Sequence, residues 1–198
     1  MSREAARSPE AAGADGELVQ ALQKEGSAAA FEALLRRYQR PLYGFIARQL
    51  GDRARTEDVF QQAALQIYSH IGICARPEAF KTWAFGVAAD ACRNAERLDR
   101  LRAVEPLTEA YLSRVAAGQK ASPEQAAVSA QARERIAAAL STLPPALREV
   151  FVLHCYSQLS YDDIAETLGV PADTVKSRMN AALWRLRALL AEPRPSQP

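Results

Sequence analysis

The stretch SYDDIAETLGVPADTVKSRMNAALWRLRALL, residues 160–190, decides the fold of this chain. Ser160 followed by Asp163 is a helix cap with an acid three residues on, a variant of the pattern that satisfies the first free N–H groups of a helix. Ile164, Ala165 and Leu168 then face inward at helical spacing. Gly169 supplies the left-handed residue that ends a helix. Val170 fills the angle, and Pro171 suits the first turn of a second helix. Asp173 lies in that first turn, where a carboxylate suits the dipole. Val175, Met179, Ala182, Leu186 and Leu190 make the buried stripe. Two helices joined by so tight a turn predict a helix-turn-helix over 160–187.

Lys176, Ser177, Asn180 and Ala181 are left on an outer face near the start of the second helix, the part of a recognition helix that reaches base edges in the major groove. The charges divide between the two helices. Residues 160–173 carry Asp162, Asp163, Glu166 and Asp173 and no Lys or Arg, whereas 174–191 carry Lys176, Arg178, Arg185 and Arg187 and no acid. A basic second helix is what phosphate contact requires. The net charge of the whole chain, only +2, hides this distribution.

Upstream of the motif, helicity resumes at Gln131 with Ile136, Ala139 and Leu140. Pro144-Pro145 stops that helix and seeds the next, whose apolar stripe holds Val150, Phe151 and Leu153. Residues 98–128, with Pro106, Gly118, Ser122 and Pro123, read as a flexible linker with helical fragments around Thr108–Val115. In front of it, Phe31, Leu34, Leu35, Tyr38, Leu42, Phe45, Ile46 and Leu50 recur at helical steps, with a kink or break expected near Arg40 because Pro41 follows. Val59, Ala63, Ile67, Tyr68 and Ile71 form a second run. Phe80, Trp83, Ala84, Val87, Ala88 and Ala91 form a third. The expected organisation is all-α: a disordered segment 1–15, a four-helix domain 16–97, the linker 98–128, a helix-turn-helix domain 129–191 and a disordered tail 192–198.

The composition excludes several classes. Three widely spaced cysteines, Cys74, Cys92 and Cys155, do not make a disulfide framework and fit a reducing, cytoplasmic setting. No stretch reaches the roughly 18 apolar residues of a membrane helix, so no stable membrane insertion is expected. His70 with Cys74, and His154 with Cys155, supply too few ligands for a zinc site, so neither metal nor another cofactor is expected. No nucleophile–base arrangement can be built on two histidines, and an enzyme is not expected.

SPE at 122–124, LPPALREVF at 143–151, DIAETLGV at 163–170 and TVKSR at 174–178 together resemble the −35-binding region 4 of bacterial extracytoplasmic-function (ECF) sigma factors of RNA polymerase. FEALLRRYQRPLYGFIARQLGD at 31–52, TEDVFQQAALQIY at 56–68 and PEAFKTW at 77–83 resemble that family's region 2. The resemblance implies a factor that binds polymerase core and directs transcription from a two-part promoter, with an anti-sigma protein as a further partner and a stress- or signal-responsive set of genes. It implies that Lys176, Ser177, Arg178 and Asn180 read the −35 element. Lys81, Asp90, Arg93, Asn94 and Arg97 would hold the opened −10 strand. Asp58 and Gln61 would dock on the clamp coiled coil of the largest polymerase subunits. Phe80 and Trp83 sit at core spacing and are expected to be structural. Two departures stand out: Val87-Ala88-Ala89-Asp90 where the family commonly has Ile-Ala-x-Asn, and Ala181-Ala182-Leu183 where it often has Arg-Ala-Arg. Losing two phosphate contacts lowers the salt slope of binding by about 1.8, so weak DNA binding without polymerase is expected. A regulator that binds DNA without polymerase and a decoy that starts no transcription are the alternatives.

Overall fold

A computed structural model describes residues 9–102 and 133–191. Among these residues every regular element is helical. The first half comprises α1 (Pro9–Glu25), α2 (Ala28–Leu50), α3 (Arg53–His70) and α4 (Phe80–Arg102). Two short 3-10 turns, Ile71–Ile73 and Pro77–Ala79, join α3 to α4. The second half comprises α5 (residues 133–141), α6 (Pro145–Cys155), α7 (Tyr161–Leu168) and α8 (Ala172–Leu190).

Local chemistry sets the boundaries. The Ser27 hydroxyl oxygen accepts from the Ala30 N–H at 3.3 Å and starts α2. Gly51, at φ 70°, ends it by donating its N–H to the Ala47 carbonyl. Asp52 then accepts from the Arg55 N–H at 2.7 Å to start α3, so one two-residue hinge turns the chain back on itself. Leu34, Phe45 and Ile46 of α2 and Phe80 and Phe85 of α4 are almost wholly buried, with Phe45 and Phe85 edge to face at 5.7 Å. Burying each such side chain contributes about 1.5–3 kcal/mol. Ala139, Leu140, Leu143, Ala182 and Leu186 form a smaller cluster that ties α5 to α8.

Four expectations are corrected. Residues 9–15, expected to be disordered, belong to α1. Asp15 is buried there, ion-paired with Arg37 and accepting from the Tyr38 hydroxyl. Pro41 does not break the helix near Arg40: α2 runs through it, and Pro41 is exposed on the outer face, where its missing N–H costs one helical bond. Residues 98–102, assigned to the linker, continue α4, which Arg55 braces by pairing with Asp99. Tyr68 is exposed rather than in the α3 stripe, its ring edge-on to Phe31 at 4.8 Å. The rest of the expected linker, with its helical fragments, and the tail 192–198 lie outside the described residues.

The two halves also share one hydrophobic core. Val150, Val152 and Leu153 of α6, Ile164 of α7 and Val175 and Met179 of α8 are continuous with the core of α1–α4. Helix α6 packs on α2, and α7 packs on α4.

Candidate nucleic-acid interface

The start of α7 is held by a complete capping box. The Asp163 N–H donates to the Ser160 hydroxyl oxygen at 3.1 Å, and the Asp163 carboxylate accepts from the Ser160 N–H at 3.1 Å. Gly169, at φ 63°, turns the chain into α8 and donates its N–H to the Glu166 carbonyl at 3.3 Å. With the turn locked, burial of Val175, Met179, Ala182 and Leu186 sets the rotation of α8 about its own axis.

That rotation leaves Lys176, Ser177 and Asn180 exposed. Lys176 bonds Asp173 at 3.2 Å, and the Ser177 hydroxyl donates to the Thr174 carbonyl at 2.9 Å. Both are bonds within one turn, readily exchanged for a phosphate or a base edge. Arg178 differs: it is half-buried, and its charge acts on Glu149 of α6. Ala181 is half-buried. Trp184, which the sequence reading passed over, is 71% exposed one turn beyond Ala181 on the side of Ser177. Its spacing of seven residues from Ser177 was the available signal.

In the first half, Asp58 and Gln61 stand on the exposed face of α3 beside Leu65. Phe80 is buried and Trp83 packs against the core, as their spacing predicts. The residues expected to hold a single strand divide into two sets along α4. Asp90, Asn94 and Arg97 lie on its open side. Lys81 and Arg93 are engaged by the second half: Lys81 Nζ donates to the Gln158 carbonyl at 3.4 Å, and Arg93 pairs with Glu149 at 2.6 Å as well as with Asp90 at 2.5 Å.

Glu149 and its surroundings escaped the sequence reading. Burial pushes its carboxyl above the usual range, and the Arg93 charge pulls it part of the way back. Burial, with Glu149 and Glu96 nearby, likewise pushes the Cys92 thiol up to about 12. The available signal was on α4, which carries small or apolar residues on two sides: Phe80, Ala84, Ala88 and Ala91 on one, Thr82, Gly86 and Ala89 on the other. A helix with two such sides has two neighbours. Both histidines are engaged locally, His70 Nδ1 at 2.9 Å from the Gln66 carbonyl and His154 Nδ1 at 2.9 Å from the Leu159 carbonyl.

Residues 34–103 match the family Sigma-70 region 2, and residues 133–186 match Sigma-70, region 4. The chain is 34% identical over 178 residues to the ECF RNA polymerase sigma factor SigL of Mycobacterium tuberculosis, covering 84% of this chain and 94% of that protein. The chain belongs to the ECF sigma factors of RNA polymerase. It is also 29% identical over 181 residues to the ECF sigma factor SigW of Bacillus subtilis, across 85% of this chain and 93% of that one. Solved structures of similar fold include CnrH in complex with the cytosolic domain of CnrY, with a TM-score of 0.64, 23% identity and coverage of 89% of this chain and 97% of that one. Another is the sigma factor RpoE of Bartonella quintana in complex with the anti-sigma factor NepR, with a TM-score of 0.65, 21% identity and coverage of 81% and 96%. As an ECF sigma factor the protein binds RNA polymerase and directs promoter-specific transcription initiation. Sigma factors are not a class of enzymes. Among the described residues no helix is long and apolar enough to cross a membrane.

Proposed function

We propose how this sigma factor divides its work among its residues. Lys176, Ser177, Arg178 and Asn180 read the −35 element from the major groove. The observation that carries this is the locked turn at Gly169, which presents the first three turns of α8 outward while its apolar stripe stays buried. Lys81, Asp90, Arg93, Asn94 and Arg97 line the track for the opened −10 strand. The alternation of cation, amide and cation along α4 supports that role. Asp58 and Gln61 dock on the clamp coiled coil of the polymerase. Their exposure on a helix whose other face is buried supports this. The two regions work as separate domains, near 16–97 and 129–191, once on the promoter.

An anti-sigma protein is the proposed controlling partner, by analogy with the complexes of the structural neighbours. The genes controlled answer to the signal that partner senses, and the setting is the cytoplasm, where polymerase works. No cofactor takes part, and the protein catalyses no reaction of its own.

Run-off transcription with purified core polymerase, on templates carrying the promoters this factor serves, tests the reading. Transcripts should depend on the factor, and Lys176→Ala with Asn180→Ala should weaken −35-dependent initiation while leaving binding to core intact. Core binding without transcripts from any template would make the chain a decoy. Operator binding without core would make it an ordinary regulator.

A further inference from the structure

Helix α8 carries one side chain that its part in the fold does not explain. Trp184 is 71% exposed, although a ring of that size ordinarily stabilises a protein by being buried. The rotation of α8 fixes where the ring stands. Ser177 and Trp184 are seven residues apart, so at about 3.6 residues per turn they share one line along the helix to within about 20°. Asp173 and Asn180, both exposed, lie within about 60° of the same line. The buried stripe of Val175, Met179, Ala182 and Leu186 occupies the opposite side. Trp184 therefore stands in the middle of the face proposed to meet the −35 element, about 10 Å beyond Ser177 along the axis.

The neighbours of the ring define what it can meet. One turn away along α8 are Asn180 and Ala181 on one side and Arg187 and Ala188 on the other. The two alanines put no long side chain over the indole, while Arg185 and Arg187 stand exposed beside it. No acid occurs between residues 174 and 191. An open aromatic ring among cations fits a polyanion that also offers apolar surface. Duplex DNA is such a ligand, with phosphates along its edges and the C5-methyl groups of thymine on the floor of the major groove. A docking site for protein needs a broader apolar patch. Leu189, the other large apolar side chain exposed on α8, does not extend one, because it lies about 120° round the helix from Ser177.

We propose that Trp184 is a further specificity-determining residue for the −35 element, its indole packing on thymine methyl groups next to the bases that Ser177 and Asn180 reach. The inference rests on the reading that α8 lies in the major groove. Its consequence is a different kind of grip. A cation on a phosphate releases a counterion and loses strength as salt rises, whereas a ring on a methyl group does neither. Ala181 and Leu183, beside the ring, offer no charge to a phosphate either. This part of α8 therefore contributes contact that salt leaves alone and that depends on base sequence. The indole suits the task because it has two side-chain torsions, so holding it in place costs little entropy.

The test uses the full chain assembled with core polymerase, and as probe a promoter duplex enriched from a random-sequence pool on the wild-type holoenzyme. The photoreactive residue p-benzoylphenylalanine, introduced at position 184, should crosslink to the −35 segment beside the crosslink made from position 180. Trp184→Ala should weaken binding of the duplex about tenfold, as expected for losing the burial of part of a large ring, with the salt slope unchanged. Trp184→Phe should keep most of the affinity. Replacing thymine by uracil in the −35 segment removes only the methyl groups, and it should weaken the wild type more than Trp184→Ala. Crosslinking from 184 to polymerase alone, while 180 still reaches the −35 segment, overturns the inference and leaves the −35 reading standing. Failure of both positions to reach DNA overturns the reading itself. Unchanged affinity in Trp184→Ala, or equal losses on the uracil duplex, overturns the methyl contact.

Discussion

Helices α3 and α4 are neighbours of similar amphipathic origin, yet they end in opposite situations. Helix α3 buries one narrow stripe, Thr56, Val59, Ala63 and Ile67, and leaves Asp58, Gln61 and Gln62 in water beside Leu65, which is 66% exposed. Helix α4 is buried on two sides, from Phe80 and Ala84 on one to Thr82 and Ala89 on the other. A bare apolar residue among polar ones is free to be covered by another molecule. A second buried side has its complement within the chain. The factor thus keeps the helix proposed to face polymerase available and the helix proposed to face the opened strand partly covered.

The contrast can be broken most forcefully at Phe85. Phe85→Ala should cost about 3–5 kcal/mol in urea denaturation, because the ring is wholly buried against Phe45. A cost under about 1 kcal/mol would mean that α4 is not packed as described. The α3 counterpart, Leu65→Asp, should move stability by less than about 0.5 kcal/mol. It should nonetheless weaken assembly with core polymerase by about 2 kcal/mol, roughly thirtyfold in a competition assay. Unchanged assembly would remove the distinction between the two helices.

Smaller effects sharpen the picture of the helix that covers α4. Ser160→Ala removes the cap of α7 and should lower stability by about 1 kcal/mol, read from the denaturation midpoint. The smallest effect is a pH dependence at Glu149. Burial raises its carboxyl above the usual 4.5, against the pull of Arg93, with Glu96 raising it further and Arg178 opposing. The folded state therefore holds the proton more tightly than the unfolded state, so stability from this group falls as pH rises through the folded value. Its penalty is complete above that value and gone below about 4.5. Denaturation of wild type and Glu149→Gln at pH 7 and pH 5 should show the difference moving in favour of the wild type at the lower pH. Movement the other way would count against a buried Glu149.

Short-range features of the sequence were readable because their partners lie within a turn. Ser160 and Asp163 cap each other, Gly169 has only its own backbone to satisfy, and the stripe from Val175 to Leu186 follows from helical period alone. Phe80 and Trp83 were readable as core for the same reason. Asp15 was not, since its partners Arg37 and Tyr38 are 22 and 23 residues away and nothing in a polar, alanine-rich N-terminus advertises them. Pro41 misled as a break because propensity speaks for an isolated helix, while packing of Tyr38, Leu42 and Phe45 keeps α2 continuous through it. The family resemblance marked out Lys81 and Arg93 as strand contacts, yet their present partners, Gln158 and Glu149, come from the other half of the chain. Such pairings leave no periodic trace. What they do leave is an excess of small residues on α4, visible only once a second neighbour is considered.

The cysteines acquire a use from this arrangement. Cys155 is exposed, whereas Cys74 and Cys92 are buried, Cys92 near Glu149 of α6 with its thiol pushed up to about 12. Burial raises the Cys155 thiol as well, but reagents that react with thiolates reach it first and wait for Cys92. The native chain therefore contains a clock and its reference. The lag between the two reactions times how often the core around Cys92 opens, with no dye attached and no residue replaced.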